Sequence, residues 1–266
     1  MNLIKSVKLK VVIFEFKSQV AFVLVLIWLF AVWNFRSLNS VLFPLFAVGL
    51  MIVLDVTYTR LRFRKWYFPS ASIVTGLLIG LIIDTQQPVW VIAAAVLLAF
   101  FSKQFIGRGL RQNIFNPAAF GIMAVSLIFN IGIAWWAVAW GKLPLLILIP
   151  SMVWILFKMK RLWLSFTFIG VYFVYFLFTF RDLESIILSL LDGSFLLFAL
   201  VMLPEPITSP TFGKWKYIFG TLAAVVSLGL TKFVLPEVFL PSLLIVDLGA
   251  FLLRNFLGRF RGKFEA

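Results

Sequence analysis

The sequence has no cysteine and no histidine among its 266 residues. Without thiolates it cannot ligate an iron–sulfur cluster, and without histidine it lacks the commonest haem ligand. The same two absences argue against a zinc or copper centre. They also remove the usual proton shuttle near neutral pH. An electron carried by this chain must ride on an organic group, such as a flavin or quinone, or on a partner. Charge is scarce as well. Only 13% of residues are charged and 63% are hydrophobic, where soluble domains have about 25% and 45–50%. The composition is that of a polytopic membrane protein, with no soluble domain in view. No small-residue cleavage site follows the first apolar run, so that run reads as a retained helix and not a removed signal.

The fold class expected is all-α. We read a single integral membrane domain over residues 1–266, a helix bundle of about ten transmembrane segments. They cover residues 19–35, 40–57, 70–83, 89–105, 117–131, 143–157, 162–180, 186–203, 217–234 and 238–256. A faint internal echo suggests two inverted halves, 19–142 and 143–256. Segment 70–83 and the apolar stretch after Pro117 are shorter than the roughly 20 residues a crossing needs, so both read as half-helices or broken helices. The alternative is a thinned bilayer or a tilted neighbour covering their ends.

The net charge of +14 is no nucleic-acid footprint. Of the 24 basic residues, 20 fall in alternate loops and termini: around Lys17, Arg60 to Lys65, Lys103 to Arg111, Lys158 to Arg161, Lys214 and Lys216, and after Arg254. The other side receives Arg36, Lys142, Arg181 and Lys232. This alternation places both termini in the cytoplasm and the chain in the cytoplasmic (inner) membrane.

Two polar breaks interrupt the apolar pattern. One is Asn-Ile-Phe-Asn-Pro-Ala-Ala-Phe-Gly at 113–121, and the other is Pro-Glu-Pro-Ile-Thr-Ser-Pro at 204–210, followed by Gly213. Non-helical backbone survives at membrane depth only where it is buried in protein or lines a cavity. Paired breaks in two halves point to a central binding site. Asn116-Pro117 serves equally as a helix start, with Asn as cap and Pro in the first turn, or as an anion or ring site. Three prolines in seven residues exclude a regular helix at the second break. Its Thr208 and Ser209 can cap the next segment or donate to a ligand. Glu205 is either a solvated loop acid near the cytoplasmic mouth or faces a polar cavity. Asp55 and Asp247 lie deep enough to be costly unless paired or wet, whereas Asp84 and Asp192 read as interface residues. Lys103 either snorkels to the headgroups or holds an anionic group. Trp135, Trp136 and Trp140 read as an interface belt, the alternative being a platform for a ring cofactor.

At these motifs the chain resembles a known family of membrane proteins. It comprises the B-type membrane component of the sodium-pumping NADH:quinone reductase and the D-type membrane component of the Rnf ferredoxin:NAD oxidoreductase. Ser72-Ile-Val-Thr-Gly-Leu-Leu-Ile-Gly is similar to the family's Ser-Ala-x-x-Thr-Gly-Leu-Leu segment. Pro88-Val-Trp, Lys103 and the Asn113 to Gly121 motif follow in the family's order. Glu205-Pro-Ile-Thr-Ser-Pro-Thr-Phe-Gly is similar to its Asp-Pro-Val-Thr-Ser-Pro motif. The resemblance runs from about Asp55 to Phe256. It implies a ten-helix protein of two inverted repeats, similar in outline to urea channels, with flavin in the membrane and electron transfer across it.

The chain departs from the family at two places, one of them Glu205, which stands where the family's motif has Asp. At the other, members usually carry a Ser-Gly-Ala-Thr-like motif between segments five and six, whose Thr is esterified to FMN. Residues 131–142 contain no Ser or Thr, so covalent FMN is not expected. The resemblance instead implies noncovalent FMN or riboflavin at Thr75, Gly76, Lys103, Asn113, Asn116, Pro117, Glu205, Thr208 and Ser209, and no metal site. Its partners would be other membrane subunits, a cytoplasmic flavoprotein or an extracytoplasmic flavin protein, and the lipid bilayer. The function expected is that of a membrane subunit passing electrons across the membrane through flavin, not catalytic alone. A transporter or channel using the same cavity is the alternative, and an assembly subunit without cofactor is a third.

Overall fold

Hydrocarbon offers the backbone no hydrogen-bond partner, so apolar segments close their bonds within helices. The computed structural model describes residues 2–64, 68–106, 113–210, 213–233, 235 and 237–264, with side chains from Phe16 to Arg254 apart from that of Phe63. Lys65, Arg108, Arg111, Thr211 and Phe212 lie outside the described residues, as do the side chains of Lys5, Lys8, Lys10, Arg259, Arg261 and Lys263.

Each of the ten expected segments is helical. In order they are α1 (Asn2–Phe35), α2 (Leu38–Phe63), α3 (Ser70–Ile82), α4 (Val89–Phe105), α5 (Pro117–Phe129), α6 (Leu143–Lys158) and α7 (Leu162–Thr179). The eighth segment is broken into α8 (Leu183–Leu190), α9 (Gly193–Leu197) and a π-helical turn (Phe198–Met202). Then come α10 (Trp215–Leu230) and α11 (Phe239–Phe264). Among the described residues there is no strand, only an isolated antiparallel bridge between Ile83 and Ile133.

Three stretches are long and apolar enough to cross a membrane unaided: Phe16–Phe35, Leu38–Arg62 and Leu162–Thr179. A fourth candidate is the eighth segment, bent by 50° at its break. The short segments are short in fact. With 13 residues each, α3 and α5 reach only about 20 Å at 1.5 Å per residue.

Small residues let the short helices pack at close range. Gly76 and Gly80, four apart on one face of α3, lie against α2. A β-carbon at Gly76 would sit 2.6 Å from the Val48 Cα, and one at Gly80 would sit 2.5 Å from the Pro44 Cα. This is the small-xxx-small crossing by which membrane helices approach each other.

A helix that stops inside the protein leaves its last carbonyls without partners. The connection after α5 supplies them for α3. Ala134 and Trp135 donate their backbone N–H to the Ile82 carbonyl, at 3.1 and 3.0 Å, and Ala137 donates to Leu81 at 3.3 Å. The Trp136 indole donates to the Gly80 carbonyl at 2.9 Å. The tryptophan cluster is therefore not an interface belt. Trp135 and Trp136 are buried, and half-buried Trp140 donates to Ala137 O within its own loop. The physical reason is that the unpaired end of α3 is a stronger claim on these donors than the headgroup region.

Trp135 also ties this rim to α11. Its indole donates to Glu237 Oε2 at 2.5 Å. Glu237 Oε1 accepts the Val238 and Phe239 amides, at 2.8 and 2.6 Å, at the start of α11. Burial pushes the Glu237 carboxyl above its ordinary value of 4.5, and these donors only partly offset it. A carboxyl raised by folding stabilises fully below its unfolded pKa and loses that contribution as pH rises through the folded one. Thermal melts of the purified protein should therefore show wild type losing stability from about pH 4.5 upward relative to Glu237→Gln, which cannot titrate. Parallel pH profiles of the two proteins would contradict the assignment.

Candidate functional site

The two breaks meet. Asn116 is the N-cap of α5, its Oδ1 accepting the Ala119 amide at 3.1 Å, with Pro117 in the first turn. The cap alternative thus holds for its side-chain oxygen. Its other groups reach the second half of the chain. The Asn116 amide donates to Asp247 Oδ2 on α11 at 2.9 Å, and Nδ2 points to the Met202 carbonyl at 3.5 Å. Met202 ends the π-helical turn, a form that occurs mostly as single turns, frequently at functional sites.

The second break wraps around a residue that the sequence did not single out. Arg161, buried between α6 and α7, donates through Nη1 to Pro204 O (3.1 Å), Ser209 Oγ (2.7 Å) and Glu205 O (3.5 Å). Its Nη2 donates to Pro206 O at 3.4 Å. Guanidinium carries five N–H donors in a rigid fork, which suits a loop whose prolines leave carbonyls exposed. Burial lowers the Arg161 pKa to about 10, against the attraction of Glu205, so it stays a cation at neutral pH. In the sequence it stands beside Lys158 and Lys160 and looks like one more loop charge. The missed signal was that it is the Arg of a Lys-x-Lys-Arg run at the mouth of a helix.

Glu205 is not a solvated loop acid. Its Oε1 lies 3.6 Å from Lys17 Nζ, with both side chains largely covered. Its Oε2 is buried without a hydrogen-bond partner, as are Thr208 Oγ1 and Asp247 Oδ1. Thr208 and Glu205 both lie within electrostatic reach of Asp247. Glu205 and Thr208 of the second break thus lie near Asp247 of α11, the Thr208 hydroxyl near enough to act on its carboxylate. Ser209, by contrast, is spent, donating to Glu205 O at 2.7 Å and accepting from Arg161.

A second polar cluster lies where α2, α3 and α4 converge. Lys103 does not snorkel outward. Its Nζ donates to Asp55 Oδ2 at 2.7 Å and to Ser72 Oγ at 3.0 Å. Ser72 Oγ donates to the same Oδ2, and Gln104 Nε2 to Oδ1, each at 2.5 Å. The anionic group Lys103 holds is therefore the protein's own Asp55. Lys17 and Glu205 act on Lys103 through their charges, so the two clusters are electrostatic neighbours.

Among the expected site residues, Thr75, Asn116 and Glu205 line one cavity, together with Lys17 and the apolar Phe16 and Val20 of α1. Thr208 and Ser209, in the second break, are buried and do not line it. Thr75 bonds back to Ala71 O at 2.9 Å. Gly76 faces α2 and not the cavity. Asn113 and Pro117 are buried next to the cap. The cavity measures about 30 Å³, the room of a water or a bare cation. Ligand pockets run to roughly 300–1,000 Å³. A tricyclic isoalloxazine does not fit there, and most donors meant for it are already used inside the chain.

Removing Arg161 should strand several buried carbonyls at about 1–3 kcal/mol each. Arg161→Met is expected to lower the thermal midpoint sharply in detergent, and Arg161→Lys to restore only part of it, since an ammonium cannot span the same oxygens. Equal midpoints for wild type and Arg161→Met would overturn this role.

Residues 7–144, just over half of the chain, match the model of the NQR2, RnfD, RnfE family. Several curated relatives bear the name of the D component of an ion-translocating oxidoreductase complex. That of Actinobacillus succinogenes is 30% identical over 93 residues, 34% of this chain and 26% of its own length. That of Alcanivorax borkumensis is 29% identical over 117 residues, 43% and 34% of the two chains. That of Buchnera aphidicola subsp. Acyrthosiphon pisum is 26% identical over 106 residues, 39% and 30%. The matched stretches thus span about a quarter to a third of the length of these relatives.

Proposed function

Because this chain belongs to the NQR2, RnfD, RnfE family, we propose that it is a membrane subunit of an ion-translocating redox complex and holds the moving ion where its two breaks meet. The observation that carries this reading is the set of three buried, unpartnered oxygens, Glu205 Oε2, Thr208 Oγ1 and Asp247 Oδ1. Carboxylate and hydroxyl oxygens suit a hard cation such as Na⁺, or a proton shared between acids. Acids inside a membrane bundle are costly unless paired, and they mark ion pathways. The cavity that Glu205 lines has room for a single small ion or water, which also disfavours a channel for a larger solute.

The other roles follow from family membership. Electrons would reach the complex from a cytoplasmic flavoprotein and leave through other membrane subunits or an extracytoplasmic flavin protein. The distribution of basic residues supports the inner membrane with both termini cytoplasmic. A noncovalent FMN or riboflavin enters this reading only with Phe16 and Val20 withdrawn from the cavity. Covalent FMN lacks an acceptor hydroxyl in 131–142. Denatured protein on a gel should show no flavin fluorescence, even with a flavin transferase co-expressed, and a fluorescent band would expose another acceptor.

The ion reading is tested in proteoliposomes holding the assembled complex. Glu205→Gln, Thr208→Val and Asp247→Asn should each weaken ion uptake driven by electron transfer by about 5- to 150-fold in apparent affinity, the equivalent of 1–3 kcal/mol. Electron transfer itself should persist when the ion gradient is collapsed. Unchanged ion uptake in both carboxylate variants would remove the support for this reading.

A further inference from the structure

On the rim of the bundle a groove of about 330 Å³ opens between Phe157 at the end of α6, Lys160, Leu162 and Trp163 at the start of α7, and Lys216 at the start of α10. We propose that this groove is a binding site for an anionic phospholipid, with the phosphodiester held by Lys160 and Lys216 and the acyl chains lying along α7 and α10.

Charge is the first argument. The polar side chains of the groove are two lysines, and no carboxylate lines it. The two ion pairs among the described residues, Lys17–Glu205 and Lys103–Asp55, involve neither lysine. Exposed Lys158 and Lys214 stand nearby in the chain, and none of these lysines is in an ion pair among the described residues. Basic pockets between membrane helices on the cytoplasmic side suit acidic headgroups, and these lysines lie on the side where the basic residues gather.

The helix ends add to that field. Both α7 and α10 begin at the groove, and neither carries a side-chain cap, their capping positions being Arg161 and Lys214. Starts without a side-chain cap are shared with α2, α3, α4 and α6, whereas α5, α8 and α9 are capped by Asn116, Asp182 and Asp192. Two adjacent helix starts with basic residues at the cap present amide dipoles that attract an anion.

The depth of the groove is set by aromatic residues. Trp163 is 57% exposed and Tyr217 39%, with ring centroids 6.5 Å apart. Lys216 Nζ sits 4.9 Å from the Tyr217 centroid. Exposed Trp and Tyr belong at headgroup level. Away from the groove the outward faces turn mostly apolar, with Phe166 on α7 and Ile218, Leu222 and Val225 on α10 exposed. These two helices form one continuous wall. Gly220 lets them touch, since a β-carbon there would lie 2.4 Å from the Leu164 carbonyl oxygen. A phosphate ion would use only the lysines, whereas a lipid uses the lysines, the aromatic collar and the apolar wall together.

The test is native mass spectrometry of the full chain released from nanodiscs containing equal amounts of phosphatidylglycerol and phosphatidylcholine. Wild type should retain phosphatidylglycerol preferentially. Lys160→Gln and Lys216→Gln should each cut that preference about fivefold, the factor one basic residue contributes at an anionic surface, and the pair about 25-fold. Lys232→Gln, on the opposite rim, serves as the control and should match wild type. Equal retention of both lipids by wild type would overturn the proposal, and so would unchanged preference in the double variant. Displacement of the lipid by excess inorganic phosphate alone would show an ion site and sink the lipid assignment. Loss of the wild-type preference in the assembled complex would mean that a neighbouring subunit covers the groove, and that too would refute it.

Discussion

An interrupted helix in hydrocarbon needs donors and acceptors from its own protein, and in this chain the heaviest such demand falls on Arg161. Pro204, Glu205 and Pro206 turn their carbonyls toward it, and Ser209 Oγ completes the set. Without that guanidinium the break would expose a row of unpaired acceptors, each worth about 1–3 kcal/mol. With it, the break is rigid enough to hold Glu205 and Thr208 in fixed positions. The end of α3 is managed in the same way, by the tryptophan loop and not by lipid. Both solutions bring a distant stretch of sequence onto a helix end, which is why the two halves cannot be separated cleanly. The α1 helix packs on both α3 and α6, and α11 packs on α5.

The buried acids divide by how completely they are satisfied. Asp55 accepts from Lys103, Ser72 and Gln104 and so uses both oxygens. A buried charge is tolerated when a counter-charge and further hydrogen bonds accompany it, and this cluster meets both conditions. It binds α2, α3 and α4 together without needing a ligand. Asp247 and Glu205 are only half satisfied, each with one oxygen unpartnered. Unfinished polar networks are costly inside a protein, so their persistence here favours a role that the finished cluster does not have.

Much of the fold was legible in the sequence. The ten apolar segments and the short third and fifth helices follow from length against bilayer thickness, and the proline breaks announced themselves by composition, whereas the eighth segment reads as one continuous run and its 50° break at residues 191–192 was not legible. Contacts that depend on which distant backbone runs out of partners were not legible. Arg161 and Trp135 belong to residue types with an ordinary place at a membrane surface, and the only local hint, an Arg closing a Lys-x-Lys-Arg run at a helix mouth, does not say which backbone it serves. Gly76 was legible as a small residue in a motif but not as a helix crossing, because its partner, Val48, lies in another segment. Lys103 reads equally as a snorkelling lysine or as the holder of an anionic group, and only the three-dimensional position of Asp55 decides for the second and names that group.

The size of the central cavity links these observations. Its polar wall, with Thr75, Asn116 and Glu205, is the wall that the motifs lead one to expect, yet its volume is set by Phe16 and Val20 of α1. Lys17, between them on the same helix, faces Glu205 at 3.6 Å. One turn of α1 therefore fills the space, supplies the counter-charge and covers the half-satisfied acid. Anything larger than a water would have to break that ion pair and lift two apolar side chains out of the core, while α1 remains packed against α3 and α6. A bare ion needs neither change, because it is no larger than the space the cavity already has. The geometry thus favours a small, hard, positively charged occupant over a planar ring, and it makes α1 the element whose position decides between them.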